Sequence, residues 1–252
     1  MNNFYLPENV FAKLLFNELS DVGEFSKKYL PSALISQNLK KDDNSIGIIP
    51  TLDLIHHPDF YVSSKIGISF NALLSNSYLH FRENQFTVDN LYVKGDVSSN
   101  EVILSKIFLK EMYDLDITPR LATENFPVYD ENVLIVGDEN FKDDLFLQGL
   151  SFSEEIIELI EAPYVNFILA SKNEKLLKQF TEKHRNDFLD GHPSSFSDIF
   201  SNFGKNSFEF IQVNLQHVIF DFEEQDLEGI KILLQLPYYH GLIDDMIDLK
   251  FV

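Results

Sequence analysis

Three observations predict a mixed α/β chain. Short apolar runs alternate with segments of helical periodicity over most of the 252 residues. The apolar fraction is 44%, with 24 Phe and 10 Tyr, which is core-forming material and not a disordered composition. At roughly 150 residues per domain, the length gives one to two compact units, each able to bury a core.

Taken in order, residues 9–19 place Val10, Leu14, Leu15 and Leu19 at helical spacing, with Asn9 as the cap for the first free N–H groups. Ser45–Ile49 predicts a buried strand that stops at Pro50, which has no N–H to give a sheet. Lys65–Phe70 and 76–82 predict two further strands. Asp96–Met112 opens on polar capping residues and continues as an apolar-periodic helix. Asn132–Val136 predicts a buried strand ending at Gly137, and Tyr164–Ala170 another after Pro163. From Asn173 onward the pattern predicts helix, over Lys175–Phe188 and Phe208–Phe220. Asp42–Asn44 and Gly191–Ser195 predict loops, and no internal repeat is present.

Charge narrows the function classes. Twenty Lys and Arg against 40 Asp and Glu give a formal charge of −20. Duplex DNA carries about one negative charge per 1.7 Å, so a chain this acidic with no basic run is repelled from nucleic acid and from anionic membrane surfaces. Acidic pairs such as Asp143-Asp144, Glu223-Glu224 and Asp244-Asp245 predict solvated faces. The absence of Cys removes disulfides, thiolate nucleophiles and thiolate metal sites. Met1–Leu19 has no basic n-region and no small-residue cleavage pattern, and no apolar run approaches about 18 residues, so the expectation is a cytoplasmic protein that does not cross a membrane. Phosphate-loop, dinucleotide, zinc-protease and nucleophile-elbow motifs are all missing. His184, His192, His217 and His240 show no metal-ligand spacing, His56 and His57 adjoin Pro58 in a turn, and His80 lies inside an apolar strand.

A family resemblance emerges from motifs in order along the chain. Gly47-Ile48-Ile49-Pro50-Thr51-Leu52-Asp53-Leu54-Ile55 followed by His57-Pro58, then Gly67-Ile68-Ser69 and Ser77-Tyr78-Leu79-His80-Phe81, resemble successive elements of the chorismate dehydratase family of the futalosine route to menaquinone. Asp96-Val97-Ser98-Ser99 is similar to that family's ligand-facing helix start, Leu134–Asp138 to a strand end, Ala162–Val165 to a later strand start, and Gln216–Leu242 with Leu227–Ile230 to its helical ending. The resemblance implies an α/β, two-lobed, type II periplasmic-binding-protein-like fold with two crossing hinge strands near Tyr78–Arg82 and Tyr164–Ala170. Lobe one would be 1–80 plus 170–252, and lobe two 81–169.

It also implies a carbon–oxygen lyase acting on a small carboxylate in the inter-lobe cleft, with no organic cofactor and no metal. Dehydration needs donors for carboxylates, a base for a ring proton and help for the departing hydroxide. Helix N-termini supply anion donors, which nominates Ser98, Ser99 and Asn100, with Ser69 and Asn71 at a strand end as further binding residues. Asn9 and Asp138 are the catalytic candidates, Asp138 because it follows a strand-ending glycine. Each has a structural alternative. Asn9 and Asp138 are also helix-capping candidates, Ser69 could satisfy local backbone, and Ser98 with Glu101 forms a capping-box pattern. The sequence departs from the family at Pro7, Leu73, Glu101 and Val102, where the family has polar or small residues. Those departures favour the rival expectation, a non-catalytic binding protein or sensor on the same fold, while the resemblance along the whole chain keeps the lyase as the first expectation. A third alternative is an interaction protein whose cleft is plugged by apolar side chains. Oligomeric state is left open.

Overall fold

The computed structural model describes residues 2–83, 85, 87–123, 126, 130–188 and 199–252. In chain order its elements begin with β1 (Asn2–Pro7), α1 (Val10–Glu18), β2 (Phe25–Leu30), α2 (Ser32–Lys41), β3 (Ser45–Pro50), β4 (Tyr61–Phe70), β5 (Ser77–His80), β6 (Tyr92–Gly95) and α3 (Ser99–Tyr113). There follow β7 (Arg120–Leu121), β8 (Val133–Val136), α4 (Glu139–Lys142), β9 (Leu150–Ser151), α5 (Phe152–Ile160) and β10 (Tyr164–Ser171). The chain closes with α6 (Glu174–Lys183), α7 (Lys205–Asn214), β11 (Val218–Asp221), α8 (Glu224–Tyr239) and β12 (Lys250–Phe251).

Two sheets define two lobes. A seven-stranded sheet runs β11-β4-β10-β3-β1-β2, with β12 added beside β4, and a five-stranded sheet runs β7-β6-β8-β5-β9. The first draws its strands from residues 2–70 and 164–251, the second from 77–151. The chain passes between sheets twice, from β4 to β5 and from β9 through α5 to β10. Tyr78–Arg82 and Tyr164–Ala170 adjoin these passages. β5 pairs only within the five-stranded sheet, and β10 pairs with β3 and β4 in the other.

Burial explains which elements the sequence signals strongly. All six residues of β3, all four of β8 and all eight of β10 are buried, which is why each is a near-continuous apolar run. α1 buries Val10, Phe11, Ala12, Leu14 and Leu15, and Phe11 packs edge-on against Phe70 of β4 at 5.0 Å and Phe141 of α4 at 6.1 Å. Phe141 in turn meets Tyr78 of β5 at 6.0 Å, so an aromatic chain runs from one lobe into the other. Each such pair contributes about 0.5–1.5 kcal/mol beyond the area it buries.

The helix expected over Phe208–Phe220 is corrected. α7 ends at Asn214, a 3-10 turn (Leu215–His217) follows, and Val218–Asp221 is β11, paired antiparallel with β4. Val218 and Phe220 are buried while Ile219 and Asp221 are half-buried, a period of two set by the sheet edge the segment joins. Helix from Asn173 to the end therefore does not hold, since β12 also pairs with β4. The helix expected over Lys175–Phe188 stops at Lys183. The loop Gly191–Ser195, with His192, lies outside the described residues. Among the described residues, no helix is long and apolar enough to cross a membrane.

Candidate functional site

Both sheets direct strand ends into the cleft between them. β1, β2 and β3 run parallel in the larger sheet, and β6 and β8 run parallel in the smaller. β6 and β8 end alike, in Gly95-Asp96 and Gly137-Asp138. Gly95 has φ +97° and Gly137 φ +85°, a left-handed turn that L side chains rarely adopt. At Gly95 a Cβ would also stand 2.1 Å from the carbonyl oxygen of Val136. Each glycine thus turns the chain sharply, and the aspartate that follows points at the other lobe.

Both aspartates land on helix N-termini. Asp138 Oδ1 accepts the backbone N–H of Val10 at 2.7 Å, and its Oδ2 lies 3.3 Å from Lys13 Nζ. Asp96 Oδ1 accepts the Ser32 N–H at 2.8 Å, and its Oδ2 accepts the Ser32 hydroxyl at 2.5 Å. Val10 and Ser32 open α1 and α2, whose first N–H groups have no partner within the helix and whose dipoles favour an anion there. A third carboxylate reaches the opposite way. Asp53, in the 3-10 turn Thr51–Ile55, accepts the Ser99 hydroxyl of α3 at 2.6 Å and the Ser36 hydroxyl of α2 at 2.5 Å.

Burial raises the pKa of all three carboxyls above the ordinary range. For Asp138, Lys13, the Val10 N–H and Lys142 oppose the shift; for Asp53, the two serines, His57 and His56 do. For Asp96 the Ser32 bonds oppose it, while Asp138 and Glu8 push further upward. The cavity beside Asp96 and Asp138 measures about 450 Å³, with Glu8, Lys13, Glu139 and Lys142 also among its lining residues; Asp53 is not one of them. Glu139 is ion-paired with Lys94 of β6.

The other nominated residues are held as follows. Asn9 caps α1, its Oδ1 accepting the Ala12 N–H at 2.9 Å; its side chain is fully buried and its Nδ2 has no partner. Ser98 caps α3 in a capping box with Glu101, whose Oε2 accepts the Ser98 N–H at 2.9 Å and its hydroxyl at 2.6 Å. Glu101 is 1% exposed and turned inward, and burial raises its pKa. Asn100 accepts the Leu52 N–H at 2.9 Å and donates to the Asn166 carbonyl at 2.6 Å, which fastens α3 to β10. Ser69 is fully buried within β4, opposite Val165 and Ile219. Asn71 is exposed at the end of β4, 3.0 Å from His217 Nδ1. The structure therefore brings Asn9 and Asp138 together at α1, and Ser98, Ser99 and Asn100 together at α3. Of the nominated residues only Asp138 lines the 450 Å³ cavity; Asn9, Ser69, Asn71, Ser98, Ser99 and Asn100 do not.

Sequence reasoning missed Asp53, Ser32, Ser36 and Lys13. A signal for one half of the arrangement was present, because Gly-Asp recurs after two apolar strands. Burial pushes His80 down to about 4, which leaves it neutral near pH 7. Among the described residues, no group of His, Asp and Glu could hold a metal ion.

No family model matches the chain, and no curated protein matches it by sequence. Solved structures do. Protein AF1704 from Archaeoglobus fulgidus has a TM-score of 0.62 at 9% identity, with 96% of this chain and 98% of that one covered. The ligand-binding component of an ABC-type import system from Staphylococcus aureus, with zinc bound, gives 0.64 at 10% identity over 98% and 96%. The alkanesulfonate-binding protein SsuA from Xanthomonas axonopodis pv. citri, bound to MOPS, gives 0.60 at 11% identity over 98% and 95%. At these identities the likeness shows the fold alone, and the chain has the two-lobed type II periplasmic-binding-protein-like fold.

Proposed function

We propose that this chain is a small-molecule binding protein whose cleft performs no chemistry of its own. One observation carries the reading: Asp138, the nominated base, is engaged by the Val10 N–H and by Lys13. A general base must reach a substrate proton at about 2.6–3.2 Å, and a carboxylate already holding a helix start and an ammonium is poorly placed to do so. Asn9 and Ser98 are likewise engaged in capping. Solved proteins of this fold that hold small molecules, SsuA with MOPS among them, support binding as the role.

Charge supports a ligand class. Four carboxylates, Glu8, Asp96, Asp138 and Glu139, line the cavity against two ammonium groups, Lys13 and Lys142. A small ligand that is neutral or carries an amine fits that lining better than a dicarboxylate, because like charges at short range disfavour each other.

The experiment pairs turnover with binding. Purified protein incubated with chorismate at high enzyme concentration is expected to form no 3-substituted benzoate by chromatography. A thermal-shift panel is expected to show stabilisation by amines or neutral polar compounds and none by dicarboxylates. Measurable dehydration of chorismate would overturn the binding reading in favour of the lyase that the sequence resemblance implies.

A further inference from the structure

We propose that Asp96, Asp138 and Asp53 form an intramolecular latch that keeps the two lobes closed without a ligand, the first two standing where an external anion would otherwise sit. The inference goes beyond the binding reading by naming what holds the same cleft shut.

Each of the three aspartates makes a contact that joins elements of different lobes. Asp96 and Asp138 follow strands of the smaller sheet and bond to the first residues of α1 and α2, which follow β1 and β2 of the larger one. Asp53 follows β3 of the larger sheet and bonds to Ser99 at the start of α3, which follows β6 of the smaller. The latch is therefore reciprocal, with carboxylates reaching across in both directions. Closure of a two-lobed protein needs contacts that exist only in the closed state. Here the protein supplies them itself, as charge-assisted bonds of 2.5–2.8 Å.

A second observation bears on the stand-in role. Beside the Asp138–Val10 contact, Asn9 is fully buried with its Nδ2 unpartnered. Buried amide groups are rarely left so. If Asp138 withdrew, the Val10 N–H would join the already unpartnered Asn9 Nδ2 as a free donor at the start of α1, an arrangement that takes an oxyanion.

Small-angle scattering of the full chain tests the latch, with no cleft ligand added. The wild-type radius of gyration is expected near the roughly 18 Å of a compact chain of this length, and Asp96→Ala/Asp138→Ala is expected to raise it by about 5% as the lobes part. Asp96→Asn/Asp138→Asn keeps an acceptor at each helix start and is expected to scatter like wild type. Circular dichroism confirms that each variant is folded, and hydrogen exchange at Val10 and Ser32 reads the opening locally if the alanine variant proves weakly stable. Inorganic sulfate is then expected to raise the melting temperature of the alanine variant and leave wild type unmoved. An alanine variant with wild-type scattering and wild-type exchange overturns the latch. Equal sulfate responses in the two proteins overturn the stand-in role. Neither result touches the binding reading, which rests on the ligand panel and on chorismate turnover.

Discussion

Asp138 caps a helix that lies 128 residues earlier in the chain, its Oδ1 accepting the Val10 N–H at 2.7 Å. Conventional N-caps are local, and substituting one by Ala costs about 0.5–2 kcal/mol. Asp138→Ala also unpairs Lys13, so we expect a loss of about 1–2 kcal/mol in urea unfolding. Asp138→Asn retains an acceptor for the N–H and is expected to lose less than half of that. Equal losses in the two variants would show that the carboxylate charge, and not the hydrogen bond, does the holding.

Acid titration gives a prediction of definite sign. Burial raises the folded-state pKa of Asp53, Asp96 and Asp138, so the folded protein holds their protons more tightly than the unfolded chain does. Stability contributed by these groups then falls as pH rises from the unfolded value of about 3.9 through the raised folded values. Lys13, Lys142, His56 and His57 weaken the effect, and Glu8 strengthens it at Asp96. The difference in unfolding free energy between wild type and Asp53→Asn/Asp96→Asn/Asp138→Asn, measured from about pH 4 to about pH 7, should decline with pH. A difference that grows over that range would refute the assignment.

Glu101→Thr replaces the carboxylate with a small polar side chain at one of the positions where the sequence departs from the resembling family. Were Glu101 facing the cleft, the change would strengthen anion binding. The inward capping box predicts the opposite: a loss of about 1–3 kcal/mol from the unsatisfied Ser98 N–H and hydroxyl, with no gain in calorimetric heat on titrating sulfate.

The two Gly-Asp turns should differ in tolerance. At Gly137 the nearest atom to an added Cβ is Asp96 Cβ at 3.4 Å, so Gly137→Ala costs the left-handed backbone alone, about 1–2 kcal/mol. At Gly95 the Cβ would strike the Val136 carbonyl at 2.1 Å, and Gly95→Ala is expected to cost more than about 3 kcal/mol or to leave the protein unfolded. Paired thermal melts of the two variants check the order, and equal losses would contradict it.

What could be read from the sequence follows from what each residue contacts. β3, β8 and β10 are buried along their whole length and so advertise themselves as apolar runs. β2, Phe-Ser-Lys-Lys-Tyr-Leu, is an edge strand with one buried residue and gives almost no signal. β11 was hidden because Phe208, Ile211, Leu215 and Val218 fit a helical period, and only pairing with β4 makes the last of them strand. Local caps were legible for the same reason: Asn9 acts three residues away and Ser98 with Glu101 likewise. The latch was not, because its bonds span 128, 64 and 46 residues and no local pattern encodes a partner that distant.

The distribution of strands between the sheets also dictates an order of assembly. Every strand of the five-stranded sheet comes from one continuous stretch, 77–151, whereas β10, β11 and β12 must return to a sheet begun by β1. During synthesis the smaller lobe is complete while β4 still lacks all three of its neighbours, leaving a ten-residue strand with both edges open until β10, β11 and β12 follow. A chain released before β10 is made would therefore present a folded small lobe beside an unpaired, aggregation-prone half-sheet.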